Sequence, residues 1–238
     1  MRLGLAARPF SSLLRRLPSQ CAVCNAWPSQ PICDACVARF APPATRCETC
    51  ALAVPAGVAR CGECLRHPPP LDACLAACAY VWPWAGHVGE FKFQGQAGWA
   101  DAFATLIRST PWVEPALERS DIVLPMPLAS QRLRERGFNQ ALELARRLAP
   151  DRTDAALLLR VRHTPAQSGL TRAERLRNLR GAFALEPLRA DAVHGRRIVL
   201  VDDVMTSGAS IFTAAEVLRA AGAAHITAVV LARTERPD

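Results

Sequence analysis

Hydrophobic positions along this chain fall into two kinds of run, and the two alternate. Near-continuous aliphatic stretches occur at "LAACAYVW" (75–82), "DIVLPMPL" (121–128), "ALLLRVR" (156–162), "RIVLVDDV" (197–204) and "HITAVVLAR" (225–233). Each is short and aliphatic enough to predict a strand. Between them, "HVGEFKF" (87–93), "WADAFATLIRS" (99–109) and "FNQALELARRLA" (138–149) predict helices. A further helix is predicted from about Ser210 to Ala221, with Gly222 as its stop. Strands apolar on both faces, separated by amphipathic helices, predict an α/β fold with a parallel sheet flanked by helices. Ligands of such sheets bind beyond the carboxyl ends of the strands.

Ahead of residue 72 the alternation disappears. "RHPPPLD" (66–72) holds three consecutive prolines, which continue neither a helix nor a central strand, and marks a boundary. On its amino side cysteine takes over. All ten cysteines lie between Cys21 and Cys78, eight of them as C-x-x-C pairs: Cys21/Cys24, Cys33/Cys36, Cys47/Cys50 and Cys61/Cys64. One such turn converges two thiolates on an ion, and two turns complete a tetrahedral site. Eight ligands therefore predict two structural Zn2+ sites in a small double zinc ribbon over 21–66. Metal would supply much of the folding free energy of a segment so poor in large apolar residues. Pairing in sequence order is the simpler arrangement, and an interleaved one stays open. A disulfide framework is set aside because no secretory signal precedes it and the cysteine-free part reads as intracellular. Cys74 and Cys78 are expected as buried small side chains rather than ligands.

Residues 1–20 form an amphipathic N-terminal segment. Phe10, Leu13, Leu14 and Leu17 recur at helical spacing in a basic stretch without acidic residues. It is expected to dock on its own protein, with a membrane, a partner or a transit role as alternatives. The division is thus 1–20, 21–66 and an α/β domain over 71–238.

Composition then removes function classes. Half of the 238 residues are hydrophobic, as in globular protein. No run reaches the roughly 18 to 20 apolar residues of a membrane span, and the expected location is cytoplasmic. A net charge of +8 points only weakly to phosphate or polyanion partners. Lys92 is the only lysine, so every other cation in that balance is arginine. Neither G-x-x-x-x-G-K-[ST] nor G-x-G-x-x-G occurs, which removes the P-loop and the standard dinucleotide fingerprint. Only 35 residues follow Asp203, too few for a receiver domain.

The chemistry concentrates in "RIVLVDDVMTSGAS" (197–210), where an aliphatic strand runs into two carboxylates and then a short hydroxyl-rich loop. Buried carboxylates are costly unless paired or used. Backbone N–H groups at a helix start, with Thr206, Ser207 and Ser210 around a permissive Gly208, make a phosphate cradle. Acids beside such a cradle make sense when one ligand offers hydroxyls to the acids and phosphate to the loop, as a ribose 5-phosphate does.

On those residues, "IVLVDDVMTSGAS" (198–210) resembles the fingerprint for 5-phosphoribosyl-1-pyrophosphate (PRPP) of type I phosphoribosyltransferases. "LPMPLASQRLRERGFNQALELA" (124–145), "RHTPAQSGLTRAERLRNLRGAF" (162–183) and "EFKFQGQ" (90–96) are similar to the ComF family, including its competence and GntX-like members. So is the order of cysteine ribbon and phosphoribosyltransferase-like domain, and the resemblance spans roughly residues 21–235. Ser207 stands where the loop often has Thr. The resemblance implies PRPP binding by Asp202, Asp203, Thr206, Ser207, Gly208, Ala209 and Ser210, with Asp202 and Asp203 also catalytic if there is turnover. The pyrophosphate would need Mg2+ and cations, for which Lys92, Arg134 and Arg136 are candidates, with Arg132 nearby. Arg160, Arg162, Arg172, Arg175, Arg177 and Arg180 could form a lid over it.

Function follows as an expectation in two forms. One is a PRPP-binding protein linked to competence, DNA uptake and the handling of single-stranded DNA. In that form the ribbon could dock a DNA helicase-like partner. The other is an active phosphoribosyltransferase in nucleobase salvage, which would join a base to PRPP with release of pyrophosphate. No residues for selecting the base are legible.

Overall fold

The computed structural model describes residues 19–162, 179 and 181–235. The amphipathic run from Phe10 to Leu17, and the arginines from Arg172 to Arg180, lie outside the described residues. The chain separates into two compact units, the first ending at Phe40 and the second beginning at Ala41.

In the first unit a backbone pair joins Ser19 to Ser29 (N to O, 2.8 Å), and helix α1 (Asp34–Phe40) follows. Asp34 in its first turn and Arg39 in its last both suit the helix dipole.

The second unit carries, in chain order, α2 (Gly62–Arg66), β1 (Ala73–Ala79), α3 (Trp84–Phe93), α4 (Trp99–Arg108), α5 (Val113–Glu118), β2 (Ile122–Pro125), α6 (Ser130–Arg136), α7 (Gln140–Leu148), β3 (Leu158–Arg160), β4 (Phe183–Leu185), β5 (Arg197–Met205), α8 (Ala209–Ala220) and β6 (His225–Arg233). Four strands form one sheet in the order β1-β6-β5-β2, every neighbouring pair parallel. Central β5 lies between β2 and β6, with Val201 opposite Pro125 on one side and Val229 on the other.

Alternation along the strands sorts the core into two layers. Ile198, Leu200, Ile226 and Val230 pack with Ile211, Phe212 and Leu218 of α8, in a core that also holds Cys47, Cys50, Cys61 and Cys64. Val199, Val201 and Val229 are equally buried and alternate with that set, and α4 and α7 pack on β6, β5 and β2. The second cysteine quartet therefore shares a hydrophobic core with the sheet. Its loop also bonds the sheet edge, with Cys74 N donating to Glu48 O at 2.6 Å.

The parallel sheet flanked by helices agrees with the sequence reading, and the differences are local. "ALLLRVR" contributes only the short β3, which pairs antiparallel with β4 outside the main sheet. Asp154 Oδ1 accepts from Ala156 N (2.9 Å) and Leu157 N (3.1 Å), and this turn redirects the chain before the strand starts. Helices α5 and α6 had no counterpart in the expected elements. The strand expected over 121–128 stops at Pro125, the first proline of its run. Cys74 and Cys78 are buried, the latter donating from Sγ to Leu231 O at 3.2 Å. Among the described residues no helix is long and apolar enough to cross a membrane.

Candidate functional site

A cavity of about 460 Å³ opens at the carboxyl ends of β1, β2 and β5. Tyr80 follows β1, Met126 to Leu128 follow β2, and Asp202, Asp203 and Thr206 come from the end of β5 and its loop. Lys92 reaches in from α3, Arg132 and Arg136 from α6, Arg160 from β3 and Ser210 from α8. A larger cavity of about 620 Å³ lies at the amino ends of β5 and β6, around Arg197 to Val199 and His225. It has no paired carboxylates, so chemistry rather than size selects the smaller one.

Lys92 Nζ sits 2.9 Å from Asp203 Oδ1, and both side chains are largely buried. Asp202 Oδ1 accepts from the Asp203 backbone N at 2.9 Å. Burial and the neighbouring Asp203 charge push the Asp202 carboxyl up from 3.8 to about 7, with Lys92 and Arg136 resisting. Burial lowers the guanidinium of Arg136, which the two aspartates partly restore. Two acids thus face Lys92, Arg132, Arg136 and Arg160 across one space.

The elements around them are pinned by polar contacts. Asn139 caps α7, its Oδ1 accepting from Ala141 N (3.0 Å) and Leu142 N (3.4 Å) while its Nδ2 donates to Met126 O (3.0 Å). One side chain so fixes a helix start to the turn after β2. Arg136 donates to Gln140 Oε1 at 3.0 Å and lies over the Phe93 ring, 5.1 Å from its centroid. Gln140 is buried, yet its Nε2 has no hydrogen-bond partner among the described residues. A buried donor on a cavity wall is the kind of group a polar ligand satisfies.

Below the cavity the 205–210 turn is closely packed. Gly208 adopts φ +81°, and a Cβ there would lie 2.5 Å from Met205 Cε and 2.7 Å from the Phe212 ring. Only glycine fits both the backbone and the space. Ser207 Oγ accepts from Ala209 N at 3.4 Å, and α8 begins at Ala209.

Residues 134–237 match the phosphoribosyl transferase domain family. Over 214 residues the chain is 32% identical to the DNA utilization protein YhgH of Escherichia coli, covering 85% of this chain and 90% of that protein. It is 33% identical over 184 residues to Competence protein F of Haemophilus influenzae, covering 73% and 78%. Competence protein ComFC of Bacillus subtilis is 32% identical over 148 residues, covering 62% and 58%. The chain belongs to the ComF family.

For this ComF-family chain the residues singled out in the sequence divide. Lys92, Arg136, Asp202, Asp203, Thr206 and Ser210 meet at the cavity, and Ser207, Gly208 and Ala209 build the turn beneath. Arg134 does not line the cavity and is exposed. Arg132 and Arg136 stand four apart on α6 and share a face, from which Arg134 is turned away. Tyr80, Asn139 and Gln140 were not singled out. Asn139 carried a signal, since Asn immediately before an amphipathic run reads as a helix cap.

The cysteines converge as two quartets in sequence order, Cys21/Cys24/Cys33/Cys36 and Cys47/Cys50/Cys61/Cys64, the sulfurs of each within 4.8 Å of one another. None of the ten cysteines is in a disulfide. In each quartet a backbone N–H reaches a thiol, Cys33 N to Cys21 Sγ at 3.4 Å and Cys61 N to Cys47 Sγ at 3.3 Å. Burial opposes ionisation, but such N–H donors still bring Cys21 and Cys47 down to about 6. Burial and the neighbouring sulfurs push Cys36 and Cys50 up. Four packed thiols that cannot all ionise are the donor set a Zn2+ ion holds together as thiolates. Both quartets fit structural zinc sites.

Proposed function

We propose that the cavity at the ends of β1, β2 and β5 binds PRPP with Mg2+, and that this chain acts in the use or uptake of DNA. Asp202 and Asp203 would accept from the ribose hydroxyls. The 206–210 turn and the start of α8 would hold the 5′-phosphate. Lys92, Arg132, Arg136 and Arg160 would face the pyrophosphate, with Mg2+ offsetting its remaining charge. The carrying observation is the sharing of one cavity by an acid pair, four cations and a hydroxyl-lined helix start, because only a ligand with hydroxyls at one place and phosphates at two others uses all three. The printed functions of the relatives, DNA utilization and competence, supply the biological setting. Single-stranded DNA and a helicase-like partner are the macromolecules that setting suggests.

A turning-over transferase in nucleobase salvage is the second reading. In its favour, Asp202 is held near neutrality, where a carboxyl can exchange a proton with an attacking nitrogen. The base nitrogen would then bond to the anomeric carbon as the bond to pyrophosphate breaks.

Calorimetric titration of PRPP with Mg2+ tests the common part. Wild type should bind, and Asp202→Asn combined with Asp203→Asn should lose roughly 100-fold or more, as two hydrogen bonds to charged groups disappear. A folded wild type that does not bind sinks the reading. Release of pyrophosphate with any base would then separate transferase from binder.

A further inference from the structure

We propose that Arg233 is a positioning residue through which metal in the second cysteine quartet holds the turn entering the 206–210 loop, so that metal loading and ligand binding are coupled. The effect on ligand binding rests on the reading above. The link between quartet and turn does not.

Arg233 is the last residue of β6 and is only 5% exposed. Its Nε donates to the backbone O of Cys50, inside the second quartet, at 2.8 Å. Its Nη1 donates to Met205 O at 3.1 Å and also to Thr206 O and Thr234 O. One guanidinium so joins a ligand-bearing turn to Met205 and Thr206, where the chain enters the candidate phosphate loop. The same residue's carbonyl accepts from Tyr80 N at 2.8 Å, on another cavity wall. Neighbouring contacts run in parallel. Thr234 N donates to Met205 O at 3.0 Å, and Glu235 takes Arg46 at 3.0 Å and Ala53 N at 3.2 Å. Cys74 Sγ lies 3.6 Å from Met205 Sδ, whose residue packs under Gly208.

Charge explains why the metal matters. Among the described residues the Arg233 guanidinium meets carbonyl oxygens and no carboxylate. A buried cation needs a counter-charge. Four thiolates around Zn2+ carry a net charge of −2, and the ion would also fix the turn whose Cys50 carbonyl receives Arg233 Nε. Loss of metal frees the Cys50 turn that holds one end of the Arg233 guanidinium, which loosens the other end's hold on Met205 and Thr206. Coupling is reciprocal, so a ligand that orders the loop must also slow metal loss from this quartet.

The test uses full-length, zinc-loaded protein and hydrogen exchange at amides 205–210. Chelation should raise exchange there by about tenfold or more, a typical coupling factor, with amides of α4 little changed. Cys24→Ser, which disables only the first quartet, should leave 205–210 at the wild-type rate. Arg233→Met, with zinc retained in the second quartet, should show the raised exchange already and no further response to chelator. Arg233→Gln, which keeps an amide donor, should recover part of the protection. Unchanged exchange at 205–210 after the second quartet loses its metal overturns the proposal. So does an Arg233→Met protein that keeps the wild-type response. If Arg233→Met does not fold, the wild-type and Cys24→Ser arms still decide. In a second arm, PRPP with Mg2+ should slow release of one of two zinc ions by about the same factor in wild type and not in Arg233→Met. If the exchange response holds while PRPP fails to bind, the quartet–turn link stands and the PRPP reading falls.

Discussion

The two cysteine quartets repeat one motif in different settings. The first lies in the unit that ends at Phe40, with Cys24 exposed and Cys33 half-buried. The second is buried at all four cysteines, inside the core that supports the sheet and α8. The same spacing and ligand chemistry therefore stabilise different things: a small unit that metal alone can organise, and one corner of a larger core that metal completes. Ligand spacing predicts an ion, and packing decides what the ion supports.

The largest test of that contrast is to remove one ligand from each quartet and follow unfolding by calorimetry. Cys64→Ser should lower the transition of the second unit markedly while the sheet still folds, since this site completes one corner of a larger core. Cys24→Ser should abolish ordering of the first unit and leave the main transition in place. A Cys64→Ser protein with an unchanged main transition would falsify the shared core. Gly208→Ala comes next. Its Cβ would collide with Met205 and Phe212 at φ +81°, costing about 3 kcal/mol. Because that turn packs near the second quartet, zinc release should accelerate there and not at the first.

Asp202→Asn should act in the opposite direction, and only in one pH range. The folded carboxyl keeps its proton up to about pH 7, whereas the unfolded chain releases it near 3.8. Unfolding stability therefore falls as pH rises between those values. The amide should stabilise the second unit by roughly 2 kcal/mol at pH 8 and by almost nothing at pH 4. The first unit's transition should stay where it was, and a gain equal at both pH values would refute the buried-acid account. The smallest effect is expected from Asn139→Ala, about 1 kcal/mol for the lost cap, read as a modest drop in the main melting temperature and weaker ligand binding through the 126–128 turn.

Much of this architecture was legible before any coordinates, and the gaps share a cause. The run 198–205 announced a buried strand because aliphatics on both faces leave few alternatives, and two acids at its end marked the site. Cysteine spacing announced two quartets. What period and spacing cannot carry is the packing of an element against distant chain. "ALLLRVR" has the composition of a sheet strand, but its antiparallel partner begins at Phe183. α5 contains Pro115 and spans only Val113–Glu118, too short for a period to emerge. Arg132, Arg134 and Arg136 are alike in charge and spacing, and only the helix over Ser130–Arg136 places 132 and 136 on one side and 134 on another. Arg233 resembles any basic residue closing a strand, and three of its four carbonyl partners, on Cys50, Met205 and Thr206, lie far away in sequence.

One contact at the site has a practical consequence. Lys92 is the only lysine in the chain, and its side chain is 15% exposed beside Asp203. Apart from the α-amino group, an acylating reagent therefore has a single amine to find, and that amine forms part of the cavity wall. The rate at which it is tagged measures how often the wall admits a small molecule. In a protein whose other cations are all arginine, one mass increment at one peptide becomes a direct count of open cavities.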